Sequence, residues 1–125
     1  MTNNKNIKKH LKIITKCMLE KKASEIKIIY VDKLTSLTDI FIICTSNSDP
    51  QTKAIVNHII STLEEQDIRA WNIEGYQYLN WVLMDYVNIV INIFNKDTRK
   101  YYDIERLWAD AKIELIEESF ILNEK

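Results

Sequence analysis

The chain reads as an α/β fold: a mixed sheet of about five strands flanked by helices, in the order α-β-β-α-β-β-β-α. Two observations predict it. Apolar residues recur at helical spacing over residues 6–22 and again over 50–66. Between and after these stretches lie short runs rich in Ile, Val and Phe, bounded by Asn, Asp, Ser and Thr. A sheet of this kind can leave part of one face uncovered, and an exposed binding surface would come from there.

Each element has its own signal. In the first helix Ile7, Leu11, Ile14 and Met18 share a face, while Lys8, Lys9, Lys12 and Lys16 lie opposite on a solvated side. Residues 26–31 and 40–45 are strands. The second, with Ile40-Phe41-Ile42-Ile43-Cys44, is apolar throughout, as suits a strand buried on both faces. Ser48 or Asp49 can cap the next helix, and Pro50 suits its first turn. That helix runs to about Gln66 and buries Ile55, Val56, Ile59, Ile60 and Leu63. Residues 68–73 form a third strand, parallel to the second through a right-handed crossover. Residues 81–86 and 89–94 read as a hairpin around Val87-Asn88, where Val tolerates positive φ poorly. Residues 95–99 read as a polar loop. A last helix is expected from about Tyr102 or Asp103 to Glu118, with Ile104, Leu107, Trp108 and Ala111 inward. The acidic tail beyond 118 is expected to fray.

Composition excludes several classes of function. At 125 residues and 46% hydrophobic content, residues 1–125 read as one globular domain. A net charge of −1 gives no basic field for sequence-specific nucleic-acid binding. No apolar run approaches the ~20 residues that span a membrane, and the lysine-rich start carries no secretory signal. Cys17 and Cys44 lack CxxC spacing and read as free, buried thiols of a reducing cytoplasm. His10 and His58 form no HxxxH pair, so no metal site is assigned. Asp32, Asp39, Asp85 and Asp103 are dispersed over separate elements. Ser46-Asn47-Ser48-Asp49 has no glycine to admit a phosphate and reads as a cap. Cys44 sits in the most apolar strand, where burial makes a thiol inert, and nothing places His58 beside it. No catalytic residue and no cofactor are assigned.

What remains is surface chemistry. Strand alternation puts Trp81, Leu83 and Asp85 on one face and Val82, Met84 and Tyr86 on the other. A ring beside a carboxylate suggests a face made for a partner. A second candidate is the segment from Arg99 to Trp108. Its stripe of Tyr101, Ile104 and Trp108 reads largely as core, while Tyr102, Glu105 and Arg106 lie off it and face outward. Trp, Tyr and Arg are common interface anchors.

Several blocks together resemble one family. They are Asp39-Ile40-Phe41-Ile42-Ile43 with Ser46-Asn47-Ser48, then Glu74-Gly75-Tyr76, Trp81-Val82-Leu83-Met84-Asp85-Tyr86, and Tyr101-Tyr102-Asp103-Ile104-Glu105-Arg106-Leu107-Trp108. Over residues 12–112 the chain resembles the ribosomal silencing factor family, also called RsfS or Iojap. The resemblance implies a nucleotidyltransferase-like sheet without that superfamily's catalytic carboxylates, and a translation repressor rather than an enzyme. It implies binding to the large ribosomal subunit through large-subunit ribosomal protein fourteen, blocking subunit joining, and a homodimer when free. Bacterial cytoplasm is the expected location. The binding residues it suggests are Tyr76, Trp81, Leu83, Asp85, Tyr102 and Glu105. The competing reading is a nucleotide-binding or nucleotidyl-transferring enzyme on the same fold. Two departures stand out. Val87 replaces the usual family Gly, with Asn88 expected to take the positive-φ position, and Asn92 replaces the usual family His.

Overall fold

A computed structural model describes residues 4–117. Six strands form one sheet in the order β3-β4-β5-β2-β1-β6. They are β1 (Ser24–Tyr30), β2 (Ile40–Ser46), β3 (Asn72–Glu74), β4 (Trp81–Asp85), β5 (Ile89–Asn95) and β6 (Lys112–Ile116). Strands β2 and β5 pair in parallel, and every other neighbouring pair is antiparallel. Helices α1 (Asn4–Glu20) and α2 (Asp49–Glu64) pack together over one face. A shorter segment, α3 (Lys96–Tyr102) and the single turn α4 (Ile104–Leu107), lies over part of the other. The mixed α/β class therefore stands, with one strand more than expected.

The main core lies between the sheet and the helix pair. It joins Leu11, Ile14 and Met18 of α1 and Ile55, Val56, Ile59 and Leu63 of α2 to alternate residues of the strands, among them Ile28, Ile42, Val82, Met84 and Ile91. A smaller cluster on the opposite face holds Ile29, Val31, Ile43 and Phe94, with Phe41, Trp81, Ile104, Trp108 and Ala111 against it. Strand β2 is buried on both sides, apart from a half-buried Phe41, as its unbroken apolar run requires.

Helix ends explain where the strands begin. The hydroxyl of Ser48 accepts from the Gln51 N–H at 3.1 Å, so Ser48 is the cap of α2, with Pro50 in the first turn. The same Gln51 donates to the carbonyls of Lys21 and Lys22 at 3.0 and 2.8 Å, tying α2 to the end of α1. Both helices stop in a left-handed residue that is not glycine. Lys22 (φ 65) and Asp67 (φ 61) occupy that position. Ala23 N–H reaches Met18 O and Ile68 N–H reaches Leu63 O, both at 2.9 Å, completing the double bond pattern of a Schellman end.

The Schellman end of α2 shortens the third strand. Ile68 is spent closing the helix, so pairing starts only at Asn72 and covers three residues. Strand β3 does run parallel to β2, but β4 and β5 lie between them, and β3 forms an edge.

The C-terminal reading needs a larger correction. Residues expected as a polar loop form α3, capped by Asn95, whose side chain accepts from Thr98 N–H at 2.8 Å. The expected long helix is broken at Asp103 (φ 44), and residues 112–116 pair with β1 as a sixth strand. Ile104, Trp108 and Ala111 do face inward, but Leu107 is 74% exposed. The helix-favouring composition of residues 109–118 yields to the unpaired edge of β1, whose backbone groups β6 satisfies. The Tyr30 hydroxyl donating to Glu114 at 2.8 Å and Lys112 lying over the Tyr30 ring fix that pairing. The acidic tail after residue 118 lies outside the described residues.

The β4–β5 hairpin also departs from expectation. Val87, not Asn88, takes positive φ (73), and Asn88 N–H donates to Tyr86 O at 2.9 Å. This is a three-residue turn of the strained, positive-φ kind. A β-branched residue there carries a cost of about 1–3 kcal/mol, against about 0.5–1 kcal/mol of extra chain entropy for glycine. Val87→Gly should therefore raise stability by about 1 kcal/mol, read as a higher urea midpoint at unchanged slope.

Candidate partner-binding face

The face lies on the side of β4 turned away from α1 and α2. Val82 and Met84 are fully buried beneath the helices, so alternation turns Trp81, Leu83 and Asp85 to the other side, each half-buried. Opposite them on β5 stand Phe94, Asn92 and Val90, and Leu83 faces Glu74 on β3.

Glycine is required where the chain enters this strand. Gly75 has φ 82, and a Cβ there would lie 2.0 Å from the Trp81 carbonyl oxygen. Any side chain would collide with the backbone that carries Trp81. The Glu74-Gly75-Tyr76 turn thus sets the start of β4.

Trp81 is held on three sides. Its ring stacks on Phe94 (centroids 4.8 Å apart, planes 28° apart) and meets Tyr102 at 4.9 Å. Its indole N–H donates to Asn92 Oδ1 at 3.0 Å, and Asn92 is only 1% exposed. Each aromatic contact adds roughly 0.5–1.5 kcal/mol beyond the area it buries. Tyr102 is exposed and meets an exposed Tyr101 edge-on at 5.0 Å. The structure therefore brings Trp81, Leu83 and Tyr102 onto one side of the molecule.

Three other expected residues have different surroundings. Asp85 accepts from the Val87 N–H at 2.7 Å and so braces the strained turn. Glu105 accepts from Lys27 at 2.5 Å and from Arg99 Nε at 3.0 Å. Tyr76 turns toward α2, where its hydroxyl accepts from Asn57 Nδ2 at 3.3 Å. It does not join Trp81 and Tyr102.

Arg99 is the residue the sequence gives no sign of. It is 8% exposed, and besides Glu105 it donates through Nη1 to the Glu25 carbonyl at 2.6 Å and to Thr45 Oγ1 at 2.9 Å. Glu25 has φ 49 and sits where the β1–β2 register slips between Ser24 and Lys27. An arginine in a polar, tyrosine-rich stretch reads as solvent-facing. Only the fold shows that the β1 irregularity needs a donor.

Burial pulls the Glu105 carboxyl upward, but hydrogen bonds and charge from Arg99 and Lys27 outweigh it and hold the group below its ordinary value. Cys44 is fully buried, which pushes its thiol up to about 12 despite nearby Arg99, so it is inert. Asp32 and Asp39 line one cavity of about 550 Å³ with Lys8 and Tyr30. Asp85 and Asp103 are not among its lining residues.

Comparison with known proteins places the chain in a wider group. The family model described as "Ribosomal silencing factor during starvation" matches residues 4–125. A ribosomal silencing factor of Bacillus subtilis is 36% identical, covering 86% of this chain and 92% of its own. One from Halalkalibacterium halodurans is 35% identical over 81% of this chain and 86% of its own. A crystal structure of a Chromobacterium violaceum protein superposes with a TM-score of 0.79 at 32% identity, covering 82% of this chain and 86% of that one.

Two outcomes test the geometry. Arg99→Ala leaves the Glu25 carbonyl, Thr45 and Glu105 without their shared donor, and should cost about 3 kcal/mol of stability by urea denaturation. Lysine, lacking the fork, should restore only part of it. Because the folded-state pKa of Glu105 is depressed, its contribution is present above the ordinary carboxyl value of 4.5 and disappears as pH falls through the folded value. Glu105→Gln should be less stable than the parent at pH 7, and the gap should close on acidification below about pH 4.5.

Proposed function

Since the chain belongs to the ribosomal silencing factor family, we propose that it represses translation by occupying the large ribosomal subunit. In this reading it docks on large-subunit ribosomal protein fourteen, on the surface that faces the small subunit, and blocks joining sterically. It performs no catalysis. The observation that supports this most is the Trp81-Leu83-Tyr102 surface, apolar, partly exposed and held in one conformation by Phe94 and Asn92. An aromatic anchor already fixed in its binding rotamer loses little side-chain entropy on docking.

Roles divide within the face. Trp81, Leu83 and Tyr102 make the contact. Asp85 and Glu74 supply negative charge toward a basic ribosomal surface and speed encounter. Glu105 acts through Lys27 and Arg99 by holding α4, and Tyr76 braces the loop before β4 against α2. The free protein is a homodimer, and Ile113 and Leu115, exposed on edge strand β6, offer an apolar surface for it. Strands β5, β2 and β1 separate that edge from β4, so a dimer formed there leaves Trp81 open. No helix among the described residues is long and apolar enough to cross a membrane, and the bacterial cytoplasm is the compartment this reading requires.

The test is sedimentation of separated subunits with the purified protein. The parent chain should appear with the large subunit and reduce the joined fraction. Trp81→Ala should weaken binding by about 2 kcal/mol, with some loss of stability because Asn92 loses its partner. Leu83→Asp and Tyr102→Ala keep the fold and should each weaken binding about tenfold, or ~1.4 kcal/mol. Normal co-sedimentation of a folded Leu83→Asp protein would show that the contact lies elsewhere. Stabilisation by nucleotide with divalent metal, and no effect on joining, would favour the enzyme reading instead.

A further inference from the structure

On the far side of the sheet from Trp81, the contact between α1 and α2 gathers three side chains of a different kind. Cys17 and Glu20 of α1 and His58 of α2 place a thiol sulfur, a carboxylate oxygen and an imidazole nitrogen within 4.8 Å of one another. We propose that these residues form a binding site for a divalent transition metal, with zinc the ion whose chemistry fits them.

The helices deliver these groups from fixed positions. Residues three apart on a helix share a face, which aligns Cys17 with Glu20. The end of α1 is tied to the start of α2 by Gln51, so neither backbone needs to move to bring His58 opposite. Ligands carried by rigid elements form a precise site. Burial is graded as well: Cys17 is 2% exposed, His58 is half-buried and Glu20 is exposed. The sulfur lies at the inner end, and the outer end opens to solvent, where a water completes four ligands.

Donor chemistry selects the ion. One thiolate, one neutral imidazole and one carboxylate suit zinc, whereas calcium and magnesium take oxygen donors. Without an ion, His58 Nε2 and Glu20 Oε1 are 2.8 Å apart, and the Cys17 thiol lies 4.0 Å from the His58 backbone carbonyl oxygen, with the Thr62 side chain as a second partner. Bonds of about 2.0–2.3 Å in a tetrahedron separate ligand atoms by roughly 3.3–3.8 Å. Binding therefore opens the His58–Glu20 pair by about half an ångström and draws the sulfur inward by rotation of side chains. The metal forms bonds to sulfur, nitrogen and oxygen, and the Cys17 thiol proton leaves to solvent. The product carries no net charge at the site, since thiolate and carboxylate balance the dication. The result is a clamp across the two helices that cover the sheet.

The experiment uses the untagged chain and cobalt(II) as a spectroscopic stand-in. One equivalent should bind, with tetrahedral d–d bands and a thiolate-to-cobalt charge-transfer band that zinc displaces. Zinc in excess should raise Tm, reversibly on adding a chelator. Cys17→Ala should lose the charge-transfer band, and Cys44→Ala should keep it. His58→Ala and Glu20→Gln sit toward solvent and leave the core intact, so they carry the test even if Cys17→Ala fails to fold. Each should weaken zinc binding at least tenfold in competition with a chromophoric chelator. A missing charge-transfer band, a band that survives in Cys17→Ala, or parental affinity in both His58→Ala and Glu20→Gln would overturn the proposal.

Discussion

One buried guanidinium fixes which part of the sheet is covered and which is open. Strand β1 begins with an irregularity: its pairing with β2 slips between Ser24 and Lys27, and Glu25 is forced to φ 49. A buried carbonyl left unpaired at such a place costs about 1–3 kcal/mol. Arg99 meets that need, and its fork reaches Thr45 and Glu105 at the same time. Glu105 in turn holds Lys27 of β1. The network thus joins α3 and α4 to two strands, and it works only because Arg can address three acceptors in a plane.

The surface beside it follows from that anchorage. With α3 and α4 held over β1, β2 and β5, Phe41 meets Trp108 and the second cluster closes around Ile29, Ile43 and Phe94. The covering segment ends short of β4. Trp81 marks the border, one ring face on Phe94 and Tyr102 beside it. A fully covered β4 would make Trp81 plain core, and a bare one would leave it free to rotate. Its actual position makes it rigid and accessible together, which is what an anchor for a large partner requires.

Where sequence and fold agree, a local signal and a tertiary need coincide. Helices α1 and α2 show a strong helical period, α2 with Ser48 and Pro50 at its start, and β2 an unbroken apolar run. The β4–β5 hairpin is legible from two apolar strands in close succession, although its positive-φ residue is Val87 and not Asn88. The split of β4 into Val82-Met84 and Trp81-Leu83-Asp85 follows from alternation alone. Failures occur where a distant partner decides. Residues 109–118 have helical composition, yet the open edge of β1 recruits 112–116 as β6. Ile68 looks like the start of a strand but is needed to end α2. Tyr76 sits next in sequence to the face residues, while its hydroxyl bonds to Asn57 on the helix side. Cys17, Glu20 and His58 lie on two helices with no motif spacing, so only the packing of α1 on α2 brings them together.

The two departures from the family pattern bear on this face in different ways. Val87 strains the far end of β4, and Asp85 answers by accepting the Val87 N–H, so the carboxylate that shares a face with Trp81 has a local use. Asn92 acts at the near end. Its amide oxygen takes the Trp81 indole proton, and its Nδ2 lies 3.5 Å from the Val90 carbonyl oxygen. An imidazole in its place accepts from an indole only through an unprotonated nitrogen, so its grip on the ring would weaken once it took up a proton. The amide does not titrate. In this chain the orientation of Trp81 is therefore held by the same hydrogen bond at every pH at which the sheet itself is folded.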